Sequence, residues 1–203
     1  MKQSLYVYTL EGLQNLMLSI GLKKFNGEQI LRWLYQSQVK TIDEMTNLSL
    51  AVREKLNEGF EVYLPEIVKK QVSSDGTIKF LLKLKDGNLV ETVLMRYTYG
   101  NAVCVSSQVG CNMGCSFCAS GLLKKVRDLT AAEMVAEVMT VQHELNKSNE
   151  RVSHVVVMGI GEPFDNYTNL MEFIHCINEP KGLAIGARHI TVSTCGLVPK
   201  IKM

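Results

Sequence analysis

Three cysteines fall within one short run, Cys111-Asn112-Met113-Gly114-Cys115-Ser116-Phe117-Cys118, directly after an apolar stretch from Ala102 to Ser107 that reads as a β-strand. A C-x3-C-x2-C loop at a strand end constrains this chain more than any other feature, because its thiols must pack, bridge or bind a metal. The chain has six cysteines and no N-terminal run that combines a basic start, an apolar stretch and a small-residue cleavage site. A disulfide framework is therefore not expected: cytosolic thiols stay reduced, and clustered ones there more often bind metal. No segment approaches the roughly 20 apolar residues that span a bilayer, so a soluble cytoplasmic protein with no membrane partner is expected. Two plainer readings stay open. The spacing i, i+4, i+7 can be one buried helix face, and a closed zinc site can recruit Cys104 as its fourth ligand. Gly110 and Gly114 disfavour the helix, and Cys104 suits a strand better than a ligand loop.

The rest of the 203 residues, 46% of them hydrophobic, is enough for a real core. A net charge of +2 gives no strong field, so any nucleic-acid contact must come from a local basic patch. Between Thr9 and Phe60, Leu13, Leu16, Met17 and Ile20, and then Ile30, Leu31, Leu34 and Tyr35, recur at helical spacing, with Gly21 and Gly27 as punctuation. A further helix is expected to follow Thr46-Asn47-Leu48-Ser49 and to end at Glu58-Gly59. Thr77 to Leu84 and Leu89 to Leu94 read as antiparallel strands with turns at Asp75-Gly76 and Asp86-Gly87. After Gly100, strands at Ala102–Ser107, Val152–Met158 and Arg188–Ser193 alternate with helices at Thr130–Asn146 and near Asn169–Asn178, which implies a parallel sheet. Thr130-x-x-Glu133 is a capping box leading into the apolar stripe Met134, Val138, Val141 and Leu145. The expected units are 1–60, 61–98 and 99–203.

Three ligands are the informative number in the cysteine loop. Most iron-sulfur clusters use four cysteines, so three leave one iron open, and that iron can accept the amino and carboxylate groups of S-adenosylmethionine (SAM). Val155 to Pro163 is an apolar strand running into the glycine-rich turn Gly159-Ile160-Gly161-Glu162-Pro163, where the backbone can approach a cofactor and Glu162 can accept an ammonium proton. Taken alone, that turn is an ordinary strand-to-helix connection. Arg188 to Ser193 ends in small polar residues that would lie at the same rim.

The spacing of Cys111, Cys115 and Cys118, with an aromatic residue before the last, resembles the signature of the radical SAM superfamily, and the Gly-Ile-Gly-Glu-Pro turn resembles its GGEP element. The resemblance implies an α/β fold: a partial (βα)6 barrel, here preceded by a small helical domain and a short antiparallel β region. It also implies a [4Fe-4S] cluster and SAM as cofactors. Val90-Glu91-Thr92-Val93-Leu94-Met95, Tyr99-Gly100-Asn101, Cys104 to Cys111, Gly159 to Phe164 and Ile185 to Thr194 narrow it to the family of RNA adenine-C2 methyltransferases called RlmN, related to Cfr. What that resemblance implies is Glu91 as general base at adenine C2, SAM contacts at Gly161, Glu162 and Ser193, 23S rRNA and tRNA as substrates, and a flavodoxin or ferredoxin type reductant. Unaided, Glu91 reads as a solvated strand residue. The helical unit would resemble an RNA-binding accessory domain with Lys23, Lys24, Arg32 and Lys40 as candidate phosphate contacts. Trp33 and Tyr35 read as core.

That family is longer and uses a second, methyl-carrying cysteine near its C-terminus. Cys176, in a predicted helix, and Cys195, outside the carrier's place in the motif, are not expected to replace it. A chain complete at Met203 is thus expected to keep cluster ligands yet be catalytically incompetent, with an open sheet edge at Arg188–Ser193. The competing reading is a non-catalytic iron-sulfur or zinc-binding RNA-interaction module.

Overall fold

The computed structural model describes residues 2–203. Six strands make one mixed sheet: β1 (Glu66–Val72), β2 (Ile78–Lys83), β3 (Leu89–Tyr97), β4 (Gly100–Val105), β5 (Val152–Val157) and β6 (Ile190–Val192), in the spatial order β6-β5-β4-β3-β2-β1. The pairs β6–β5 and β5–β4 are parallel, and the remaining three are antiparallel. Alternation is the reason β2 and β3 were legible: Ile78, Phe80 and Leu82, then Val90, Thr92 and Leu94, point to the buried face while their neighbours are half-exposed. β1 is exposed at every residue and so carries no period-two signal.

Helices cover one face of the sheet. α4 (Ala131–Leu145) joins β4 to β5, and α5 (Tyr167–Asn178) joins β5 to β6. α4 starts on the expected capping box, with Thr130 Oγ1 accepting from Glu133 N and the Glu133 carboxylate accepting from Thr130 N. Its stripe Met134, Val138, Val141 and Leu145 is fully buried. A short 3-10 turn, Leu5–Val7, packs on α4 and α5, and α1 (Leu10–Ser19), α2 (Lys24–Tyr35) and α3 (Leu50–Gly59) follow it. Tyr6 and Tyr35 meet at 5.7 Å between ring centroids in this layer. No helix among the described residues is long and apolar enough to cross a membrane.

Two expectations change. Gly27 does not punctuate a helix but sits buried inside α2, because a Cβ there would come within 2.7 Å of the Gln14 backbone: a glycine lets α1 and α2 touch. The last strand begins only at Ile190, since Ala187–His189 forms a 3-10 turn. Trp33 is half-buried against the core and Tyr35 is buried, as expected.

Replacing the fully buried Phe173 of α5 with Ala should cost about 3–5 kcal/mol. Phe117, 91% exposed, should cost less than about 0.5 kcal/mol on the same change. Urea midpoints measure both, and equal losses would show that α5 is not part of the cooperative core.

Candidate functional site

The parallel strands β4, β5 and β6 all deliver their C-terminal ends to one rim, the place where ligands bind in sheets of this kind. Two backbone segments lie against each other there. Gly159 N donates to Val105 O at 3.0 Å, and Ser107 N and Gln108 N both donate to Ile160 O at 2.9 and 3.1 Å. Ser106 Oγ accepts from Ile160 N at 3.1 Å, and Gln108 Oε1 accepts from Glu162 N at 2.9 Å. This contact requires glycine. A Cβ on Gly159 would lie 2.8 Å from both Val105 O and Ser106 Oγ, and one on Gly161, whose φ is +109°, would lie 2.6 Å from Gln108 Cβ.

Glu162 is buried beneath this turn. Its Oε1 accepts from Phe164 N at 3.0 Å and Thr194 Oγ1 at 2.7 Å, and its Oε2 accepts from Cys195 N at 2.7 Å. Burial pushes the carboxyl up, but the donors from Cys195, Thr194 and Phe164 outweigh it and hold the group below the ordinary carboxylate value. A carboxylate offers about four acceptor positions; the two amides and the Thr194 hydroxyl take three, and the Cys195 thiol also donates to the group. Sequence reasoning had this side chain facing a ligand and missed that it ties the segment after β6 to the turn after β5. Thr194 gave only the weak signal of a polar residue at a strand end. Ser193 is exposed just beyond β6, with its amide donating to Val157 O at 3.3 Å, on the same rim.

The cysteine loop leaves the sheet at the short pair Gln108–Val109 with Arg127–Asp128. Cys111 N donates to Leu123 O and Lys125 N to Asn112 Oδ1, which closes its base. Gly110, at φ +74°, would place a Cβ 2.2 Å from Lys124 O, so only glycine fits. All three thiols are free: those of Cys111 and Cys115 half-buried, that of Cys118 exposed. The Ser120 hydroxyl and amide lower the Cys118 thiol below its usual value. Among the described residues no three His, Cys, Asp or Glu side chains converge into a ready-made metal cage. Three free thiols within eight residues of one loop are a soft donor set of the kind an iron-sulfur cluster takes, and three such ligands leave one iron open.

The other thiols differ in kind. Cys104 sits on β4 opposite Val93, raised by burial. Burial pushes the Cys176 thiol up to about 12, and the neighbouring Glu162 carboxylate pushes Cys195 up to about 11. Neither is an activated nucleophile.

Glu91 lies near the start of β3, and because β3 runs antiparallel to β4 that end reaches the same rim: Ser106 Oγ donates to Glu91 O at 2.8 Å. Its side chain is half-exposed on the sheet face away from the helices and pairs with Lys79 of β2 at 2.9 Å. Sequence reasoning missed Lys79, although alternation across the β2–β3 hairpin puts both on one face. A cavity of about 450 Å³ lies elsewhere, lined among others by Val7, Tyr63 and Arg127, and none of its residues belongs to the rim segments.

This arrangement defines a radical SAM protein. Residues 105–203 match the radical SAM superfamily, and residues 4–62 match the family described as ribosomal RNA large subunit methyltransferase N-terminal domain. The chain is 56% identical over 199 residues to a probable dual-specificity RNA methyltransferase RlmN of Spiroplasma citri, and 57% identical over 203 residues to the one of Enterococcus faecalis. A radical SAM methyltransferase crystal structure from Sphaerobacter thermophilus superposes with a TM-score of 0.92 at 40% identity, over 98% of this chain and 59% of that one. The alignments cover 98% and 99% of this chain but only 58% and 57% of the two relatives' lengths. Within the superfamily, the chain belongs to the RlmN family.

The depressed Glu162 carboxyl has a pH signature. A group whose folded value lies below its unfolded one contributes stability above the unfolded value and loses it as pH falls through the folded one. Glu162→Gln should therefore be less stable than the parent by on the order of 1–3 kcal/mol at neutral pH, with the gap shrinking in acid. Denaturant melts across that range test this, and a gap independent of pH would refute it.

Proposed function

We propose that the chain serves a radical SAM methyltransferase that places a methyl group on C2 of adenine in 23S rRNA and tRNA, in the cytoplasm, with a flavodoxin or ferredoxin type protein as electron donor. The observation that carries this reading is the set of three free thiols, Cys111, Cys115 and Cys118, on the one loop that leaves the segment after β4, beside the turn that bears Gly161 and Glu162. The names borne by its relatives support the substrate class.

In this reading the three thiolates hold a [4Fe-4S] cluster. When bound, such a cluster supplies the electron that splits the SAM sulfonium. The chain's own work is binding, orientation and proton handling. Gly161 lets backbone approach SAM, Ser193 offers a hydroxyl, and the Glu162 carboxylate takes the ammonium group. Glu91, held toward Lys79, takes the proton from adenine C2; a base must reach its proton first and match its pKa second. Residues 1–60 act as the accessory RNA-facing unit, where Lys23, Lys24, Arg32 and Lys40 are all exposed. Residues 61–98 are the antiparallel segment that brings Glu91, and 99–203 form the N-terminal half of the barrel.

Anaerobic reconstitution with iron and sulfide tests this. The wild-type chain should take up a cluster with broad visible absorbance that changes when SAM is added, and the triple variant Cys111→Ala, Cys115→Ala, Cys118→Ala should stay colourless. Colourless, zinc-loaded wild-type protein would favour a non-catalytic RNA-interaction module instead.

A further inference from the structure

One fully buried acid has no part in the mechanism above. Glu137 projects from α4 into the sheet, at 0% exposure. Its Oε2 accepts from Thr92 Oγ1 at 2.5 Å and from Ser106 N at 3.0 Å, while its Oε1 has no partner. Thr92 follows Glu91 in β3. Ser106 is the residue whose hydroxyl donates to Glu91 O and accepts from Ile160 N. Ser106 thus joins three segments, and Glu137 grips it from beneath.

We propose that Glu137 is a positioning residue which, through Thr92 and Ser106, fastens the Glu91 strand to the Gly159–Glu162 turn, so that the base and the backbone facing SAM keep one separation. The inference rests on the reading of that turn as part of a SAM site. No basic side chain offsets Glu137, and burial pushes its carboxyl up to about 8. Burial therefore favours the protonated form, because an unpaired charge so placed would be far costlier than a hydrogen-bonded carboxylic acid. In that state the oxygen taking both donors serves as a carbonyl, a role that an amide oxygen fills equally well.

SAM affinity of the anaerobically reconstituted full chain, measured by equilibrium binding alongside a thermal melt, tests this. At a temperature where every variant is folded, Glu137→Ala should weaken SAM binding about tenfold and Glu137→Gln less than about twofold. Ser106→Ala should weaken it about as much as Glu137→Ala, and the double variant should be no worse than either single one, since residues in one network are not additive. Should Glu137→Ala fail to fold, Ser106→Ala and Thr92→Val carry the same expectation. Wild-type affinity in folded Glu137→Ala, a Glu137→Gln variant as impaired as Glu137→Ala, or additive losses would overturn the proposal. No SAM binding by the wild type would instead overturn the reading of the site.

Discussion

The rim depends on one contact: the backbone from Val105 to Gln108 lies against the backbone from Gly159 to Gly161, closer than any side chain allows. Both segments continue parallel neighbours, β4 and β5, past the point where the ladder ends. Each exposes amides and carbonyls that would otherwise need water, and here they satisfy one another. Rigidity follows, because Ser106 and Gln108 add side-chain bonds to the backbone ones. The cysteine loop departs from one segment and Glu162 from the other, so their relative placement is set before any cofactor arrives.

The parts of this architecture that follow a period were legible in the sequence. The capping box at Thr130 and Glu133, the stripe on α4 and the alternation of β2 and β3 are local patterns, and each appears where its period required. What escaped is non-local. β1 belongs to the sheet through pairing with β2 alone, with no buried face to mark it. Gly27 is a packing residue only because Gln14 stands opposite, and Glu162 is a tie only because β6 brings Thr194 and Cys195 beneath it. The three thiols were visible as a motif, because their spacing is local.

Thiol environments set Cys118 apart from Cys104, Cys176 and Cys195 without reference to any motif. The Cys118 thiol, exposed beside Ser120, is shifted toward the thiolate form. Cys104, Cys176 and Cys195 are all shifted the other way, the first two by burial and the last chiefly by Glu162. Ligation requires thiolate, so these shifts favour soft-metal binding at Cys118 and disfavour it at Cys104, Cys176 and Cys195. The same carboxylate that ties the rim together also keeps the adjacent Cys195 protonated.

Three glutamates around Ser106 show how environment, not residue type, assigns a role. Glu91 stands half-exposed with Lys79 as counter-ion, free to meet an incoming group. Glu162 is buried but receives three donors, and its charge is stabilised by them. Glu137 is buried with two donors on one oxygen and none on the other, which is too little to offset the loss of water, so its carboxyl is pushed up. Depth of burial and the number of donors reaching each carboxyl together decide between the last two. An anion can hold amides and hydroxyls from several directions, as Glu162 does. A protonated acid brings no net charge to a site where charge must develop elsewhere, which suits Glu137 to its place directly beneath the strand that carries Glu91.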